Sequence, residues 1–215
     1  MTRGVHHKIH AQDRAQRTRR RVAQEAARLM SEHGIRDFRH AKTKAASRLG
    51  VGEEQALPRN REIEQALREH QRLFHPDSQA ATLRSLREAA CEALDFFAPF
   101  HARLVGPVLA GTADHHSAVC LHLFSDSPEA VHGFLRDQGI PFNESTRRLR
   151  MKREEYRDVP VLEIMADGTA FDLTVLPTVA QRQAPLDKID ERPMPRASLT
   201  ALRALLDEAE AAPIF

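Results

Sequence analysis

The stretch Val105–Phe124, VGPVLAGTADHHSAVCLHLF, decides how this chain is read. It opens as the end of a strand at Gly106, passes through a turn and a short helical or looped crossing to Gly111, and becomes a strand again. That second strand, Ala118–Phe124, is apolar almost throughout, the pattern of a strand buried on both faces. Gly106 and Gly111 bracket the crossing, where a residue without a Cβ lets backbone approach a ligand closely. Between the strands lie Asp114, His115 and His116. As a cluster they offer metal ligands or an acid–base pair; as turn residues they need no such role.

Outward on the N-terminal side, His101–Gly106 reads as the first strand. It is preceded by a helix over Gln79–Phe97, whose wide apolar stripe of Leu83, Leu86, Ala90, Leu94 and Phe97 implies more than one packing neighbour. On the C-terminal side, Ser127-Pro128-Glu129 opens a helix that Gly139 stops, with Ser127 as its N-cap. Ile140–Met151 reads as an edge strand ending in a basic run, Arg147, Arg148, Arg150, Lys152 and Arg153. That run is either a face for phosphates or a charged edge that resists sheet-to-sheet aggregation. Asp167-Gly168 between Val159–Ala166 and Thr169–Leu176 signals a tight hairpin. Alternation places Phe171, Leu173 and Val175 on one face of the last strand, and Asp172, Thr174 and Leu176 on the other. A proline-punctuated loop and a helix over Ala197–Ala209 close the chain.

The first hundred residues are helical in pattern. Residues 1–21 carry Arg3, Lys8, Arg14, Arg17, Arg19, Arg20 and Arg21 against the single acid Asp13. They read as a disordered basic arm that either contacts nucleic-acid phosphates or only solubilises the chain. Helices follow over residues 18–34, over Phe38–Leu49 with Asp37 as N-cap, and over Arg61–Phe74 with Asn60 as N-cap. The second of these adds Lys42, Lys44 and Arg48 to the positive charge.

Composition narrows the classes. With 215 residues, 41% hydrophobic and 29% charged, the chain is long enough for a real core and ordinary in polarity. Aromatics make up 5%, with no Trp and one Tyr, so a platform for stacking single-stranded bases is poorly supplied. Cys91 and Cys120 lack zinc-motif spacing and read as buried thiols. No apolar run approaches the roughly 20 residues of a membrane span. The N-terminus has no apolar core of the secretory kind, so a cytoplasmic location is expected.

The layout around Val105–Phe124 resembles the signature of the nucleotidyltransferase fold, the DNA-polymerase-β-like superfamily that includes the minimal nucleotidyltransferases. There a strand ends in Gly-Ser, a short helix carries a further Gly, and Asp-x-Asp follows on the next strand. Gly106, Gly111, Ser117 and Leu121 match that pattern. The family's serine falls on Pro107, and its two metal-binding aspartates fall on Ala118 and Cys120. Asp172 matches the third carboxylate. The resemblance, from Leu104 to Leu176, implies a ligand site at Gly106, Gly111, Ser117 and His122. If the site were active, it implies a nucleotide with Mg²⁺ or Mn²⁺ held around Asp114, His116 and Asp172. Two-metal transfer needs three carboxylates, so one aspartate is insufficient. The opening helices also have some likeness to a tetracycline-repressor-type DNA-binding domain, but VGEEQALPRN stands where that family has a recognition helix.

The expected architecture is α/β: an N-terminal helical region packed on a nucleotidyltransferase-like mixed sheet with flanking helices. Its expected parts are a basic arm over 1–21, a helical region over 22–100, a core over 101–180, and a loop with a final helix over 181–215. The expected function is a nucleotidyltransferase-like protein without transfer activity, binding nucleotide or nucleic acid as a regulatory module. The alternatives are an active transferase with rearranged ligands and a DNA-binding regulator acting through the N-terminal helices; the expected nucleic-acid contacts are Arg17, Arg19, Arg20, Arg21, Lys42, Lys44 and Arg48. A protein partner or a homo-oligomer stays open.

Overall fold

Strand pairing in the C-terminal part follows from the alternation of apolar residues, and it produces an α/β fold. The computed structural model describes residues 3–52, 57–74, 76–152, 154–189 and 191–211, with side chains excepted at 3–12, 76–77 and 210. Residues 53–56 of the VGEEQALPRN segment, and Arg153 of the basic run, lie outside the described residues. The chain divides into a helical unit ending at Pro76, joined by Lys188–Asp190, and a sheet unit containing Asp77–Asp187 and the C-terminal segment. Each has its own apolar core. The expected helical region over 22–100 is therefore divided, and its last helix belongs with the sheet.

In the helical unit, α1 (Arg3–His33) packs with α2 (Phe38–Arg48) and α3 (Asn60–Phe74). The basic run expected to be a disordered arm is instead the first half of α1. The core is largely alanine, with Val22, Ala26, Leu29, Ala41, Ala45, Ile63 and Leu67 buried. Asp37 caps α2, its carboxylate accepting from His40 N at 2.8 Å. Asn60 is not the cap of α3. The Arg59 carbonyl accepts the first helical bonds, from Glu62 and Ile63, and the Glu62 carboxylate accepts from the Arg59 N–H at 2.7 Å. That is half of a capping box. Asn60 Nδ2 instead donates to the Lys188 carbonyl at 2.6 Å.

In the sheet unit, α4 (Pro76–Phe96) leads to β1 (Arg103–Val105), α5 (Gly106–Ala110), β2 (Val119–Phe124), α6 (Pro128–Asp137), β3 (Phe142–Arg150), β4 (Tyr156–Ala166), β5 (Thr169–Leu176) and α7 (Leu199–Ala211). Helix α4 begins three residues before the expected start at Gln79, because Pro76 is tolerated in a first turn. The Ser127 hydroxyl does not cap α6 but bonds the Glu129 carboxylate at 2.7 Å. The sheet order is β1-β2-β5-β4-β3, with only the β2–β5 pair parallel. The β4–β5 turn uses Asp167 and Gly168 at φ 47° and 76°, the geometry of a type I′ hairpin.

The two faces of the sheet differ. Leu104, Leu121, Leu123, Leu162, Leu173 and Val175 occupy one face and join Leu94, Val131, Leu135 and Leu202 from the helices in a closed core. A fully buried leucine there contributes roughly 1.5–3 kcal/mol. On the other face, Phe124, Leu149, Val159 and Leu176 form a small apolar cluster with Met151 and Ala180. That second face also carries the polar residues Cys120, His122, Arg147, Glu163, Asp172 and Thr174.

Candidate functional site

Alternation sets which side chains meet on the polar half of the second face. Cys120 on β2 and Glu163 on β4 are the register partners of Asp172 on β5. Register partners project to the same side of a sheet, so all three side chains share one groove. Ala118, two residues before Cys120, lines a cleft of about 390 Å³ together with Asp172, Glu163, Asn143 and Met165. Ala118, Cys120 and Asp172, the positions that the resemblance would align with three carboxylates, are therefore neighbours.

Arg147, from edge strand β3, dominates the groove. Its Nη1 and Nη2 donate to the two Asp172 carboxylate oxygens at 3.0 and 2.5 Å. Nη1 also donates to Thr174 Oγ1 at 3.4 Å. The fork-to-fork geometry is the strong form of an arginine–carboxylate pair. Burial works against the Arg147 charge, but the bond and charge of Asp172 outweigh it, aided by Cys120 and Glu163, and hold its pKa above the ordinary arginine value. Both Asp172 oxygens are thus occupied by a guanidinium where a metal-binding carboxylate would need them free.

His122 is a core residue. It is 2% exposed, and its Nδ1 accepts from Arg196 Nε at 3.1 Å, which places the ring proton on Nε2. Burial, with the nearby charges of Arg196 and Arg147, lowers its pKa to about 3. Arg196 also donates to the Ala180 carbonyl at 2.7 Å and lies over the Phe124 ring, 5.0 Å from its centroid. Burial, and then the charge of Arg103, lowers the Arg196 pKa to about 10.

The cluster between the strands is a self-contained turn. The Asp114 carboxylate accepts from His116 N at 2.9 Å and from the Ser117 hydroxyl at 3.1 Å, while Asp114 N donates to Ser117 Oγ at 2.9 Å. The His115 and His116 rings lie on the surface, 3.9 Å apart between centroids and tilted by 44°. Asp114 and Ser117 therefore hold the crossing together, with His116 contributing its backbone N–H.

The two glycines serve different ends. A Cβ on Gly106 would lie 3.5 Å from Cys120 Cβ and Sγ, and its φ of 72° favours glycine, so this residue sets the β1–α5 corner beside the groove. Gly111 ends α5 at φ 77° and would place a Cβ near Leu83 and Arg87 of α4, away from Asp172. Pro107 stands in the first turn of α5 and has no N–H to offer a phosphate.

Neither cysteine is in a disulfide, and both are of intermediate exposure rather than fully buried. Cys120 Sγ lies 3.6 Å from the Ala118 carbonyl. Among the described residues, no group of three or more His, Cys, Asp or Glu is placed to hold a metal. The metal site that the resemblance implies does not fit these residues: two carboxylates are absent and the third is bound to Arg147.

No protein-family model, curated protein or solved structure matches the chain.

Two of the expected nucleic-acid contacts in the helical unit, Lys42 and Arg48, are engaged within it. Lys42 is half-buried and its Nζ donates to the Pro58 carbonyl at 2.9 Å; burial lowers its pKa below the ordinary lysine value. Arg48 pairs with Glu25 at 3.2 Å. Lys44 is of intermediate exposure, whereas Arg17, Arg19, Arg20 and Arg21 are exposed. The site residues that sequence reasoning missed are Arg147, Glu163, Thr174 and Arg196. Thr174 was legible as sharing the Asp172 face, but pairing Arg147 with it required the register of β3 on β4 and of β4 on β5.

Proposed function

We propose that the sheet unit is a cytoplasmic nucleotidyltransferase-like module that does not transfer nucleotides and serves as a nucleotide- or nucleic-acid-binding, regulatory part of the chain. The observation that carries this reading is the Arg147–Asp172 pair, set beside Cys120 in a sheet register where the family keeps its metals. Two divalent ions stabilise nucleotidyl transfer by clamping phosphates and developing charge. A guanidinium in their place supplies one fixed positive charge and no activated oxygen. Two candidates of the rearranged-ligand alternative are withdrawn, Asp114 by bonding within its own turn and His122 by burial, and the exposed His116 ring belongs to no group of three or more metal-binding side chains among the described residues.

Incubation with labelled nucleoside triphosphates and Mg²⁺ or Mn²⁺ tests this directly. The expected result is no label transferred to the protein, RNA or another polypeptide. In a thermal-shift panel, any nucleotide that stabilises the chain should do so equally with and without metal. Metal-dependent transfer that disappears in Asp172→Ala overturns the reading.

A further inference from the structure

The helical unit carries a cationic feature that does not depend on how the sheet is read. Helix α1 continues well N-terminal to the bundle core, which begins at Val22. At about 100° per residue, Arg14, Arg17, Arg20 and Arg21 fall within roughly a third of the helix circumference. Val22, Ala26 and Leu29 fall on the opposite side and are buried against α2 and α3. Packing of the bundle therefore turns the arginine stripe outward. All four of these arginines are exposed. Arg19 lies on the far side of the helix from them.

Asp13 falls on the same side of α1, but these charges are not held in ion pairs among the described residues, unlike others on the chain. Arg28, the next residue in line, is held by Glu25 at 2.8 Å and Glu32 at 2.6 Å. Arg68 pairs with Glu64, Arg84 with Glu88, and Arg150 with Glu191. Arg14, Arg17, Arg20 and Arg21 have no ion-pair or hydrogen-bonded partner among the described residues. Like charges three and four apart destabilise a helix, so the stripe carries a cost that a polyanion would relieve.

We infer that the Arg14–Arg17–Arg20–Arg21 stripe of α1 binds the phosphate backbone of double-stranded nucleic acid, independently of base sequence. The stripe rises about 10 Å, enough to span successive phosphates along a groove wall. An anionic membrane is the poorer partner. Membrane-surface helices bury an apolar face, and the segment DRAQRTRRR, residues 13–21, offers only Ala15. Arginine suits phosphate through its planar fork, and no base-reading amide is needed.

The test uses the full chain and a short, labelled, mixed-sequence DNA duplex, followed by fluorescence anisotropy. With four phosphate contacts, raising salt from about 50 to 200 mM should weaken binding roughly a hundredfold. R14E/R17E/R20E/R21E should abolish binding at both salts with α-helical circular dichroism retained. R14K/R17K/R20K/R21K, which keeps the charge, should retain most of it. R68E/R84E, which changes two paired arginines, should leave binding unchanged. A duplex RNA should bind with a similar salt slope. The inference is overturned by wild-type affinity in the four-glutamate variant, by a flat salt dependence, or by strong preference for one base sequence. Tighter binding to phosphatidylserine vesicles than to duplex would also overturn it. None of these outcomes bears on nucleotidyl transfer, so failure here leaves the reading of the sheet standing.

Discussion

Arginine does opposite work in the two units. On α1 the arginines at 14, 17, 20 and 21 are exposed and have no partner among the described residues, so each is a screened, long-range charge. In the sheet, Arg147 and Arg196 are partly withdrawn from water and fixed by named acceptors: Asp172 and Thr174 for one, His122 and the Ala180 carbonyl for the other. The same side chain is therefore a means of attraction in one place and a piece of internal architecture in the other. What separates them is whether an acceptor is held at bonding distance by a rigid strand. Strands β2 and β5 supply one; the free half of α1 does not.

The largest expected effect tests the architectural side. His122 titrates near 6.5 when unfolded and about 3 when folded, so the folded chain excludes a proton that the unfolded chain binds. Its contribution is complete above pH 6.5 and is lost as pH falls toward 3, at up to about 1.4 kcal/mol per pH unit. His122→Asn keeps an acceptor for Arg196 and removes the titration. Urea unfolding of the two proteins across that window should give a distinctly shallower pH slope for the variant; parallel slopes would mean that His122 is already charged or solvated.

Next in size is a rebuilt metal site. A118D/C120D places two further carboxylates beside Asp172, as the proposed reading requires for metal, but Arg147 should pair with them and keep ions out. A118D/C120D/R147M should instead be stabilised by Mn²⁺, by about 2.7 kcal/mol at a hundredfold excess over Kd. Equal metal response with and without Arg147 would show that the guanidinium does not decide the chemistry of the groove.

A plain truncation follows. Arg147→Ala leaves the 15%-exposed Asp172 side chain without its partner. Because the Arg147 side chain is itself 37% exposed, water softens the loss, and about 1–2 kcal/mol is expected from the sheet unit's denaturation midpoint. Arg147→Ala with Asp172→Leu should recover most of it. The smallest effect belongs to α1: Arg17→Ala or Arg21→Ala should change stability by less than about 0.5 kcal/mol, and toward greater stability where like-charge repulsion is relieved. A loss there as large as that of Arg147→Ala would erase the contrast between the two units.

Local chemistry was enough to read most elements from the sequence. Thr169–Leu176 and its Asp167-Gly168 turn follow from period-two alternation and a turn that tolerates positive φ. The apolar run around Leu121 marks a central strand because its neighbours cover both sides. The shared groove of Cys120 and Asp172 was also legible, since alternation assigns faces once two strands are paired. Local signals misled where two readings were equally cheap. Arginine-rich residues 13–21 have no apolar periodicity, yet they extend a helix nucleated by the buried stripe that starts at Val22. Asn60 has the composition of a cap, but Glu62 reaches back to Arg59 and shifts the start by one residue.

The sequence by itself determined most of the helices, the strands and the excess of positive charge before Val22, because each is a property of neighbouring residues. Only the tertiary structure decided what the charged side chains do. Whether Arg147 guards an edge or grips Asp172 depends on β3 pairing with β4 and β4 with β5, contacts that join residues 25 apart in sequence. Whether Lys42 reaches phosphate or the Pro58 carbonyl depends on the packing of α2 in its bundle. A charge is written in the sequence; its partner is fixed by long-range register and burial, and those exist only once the chain has folded.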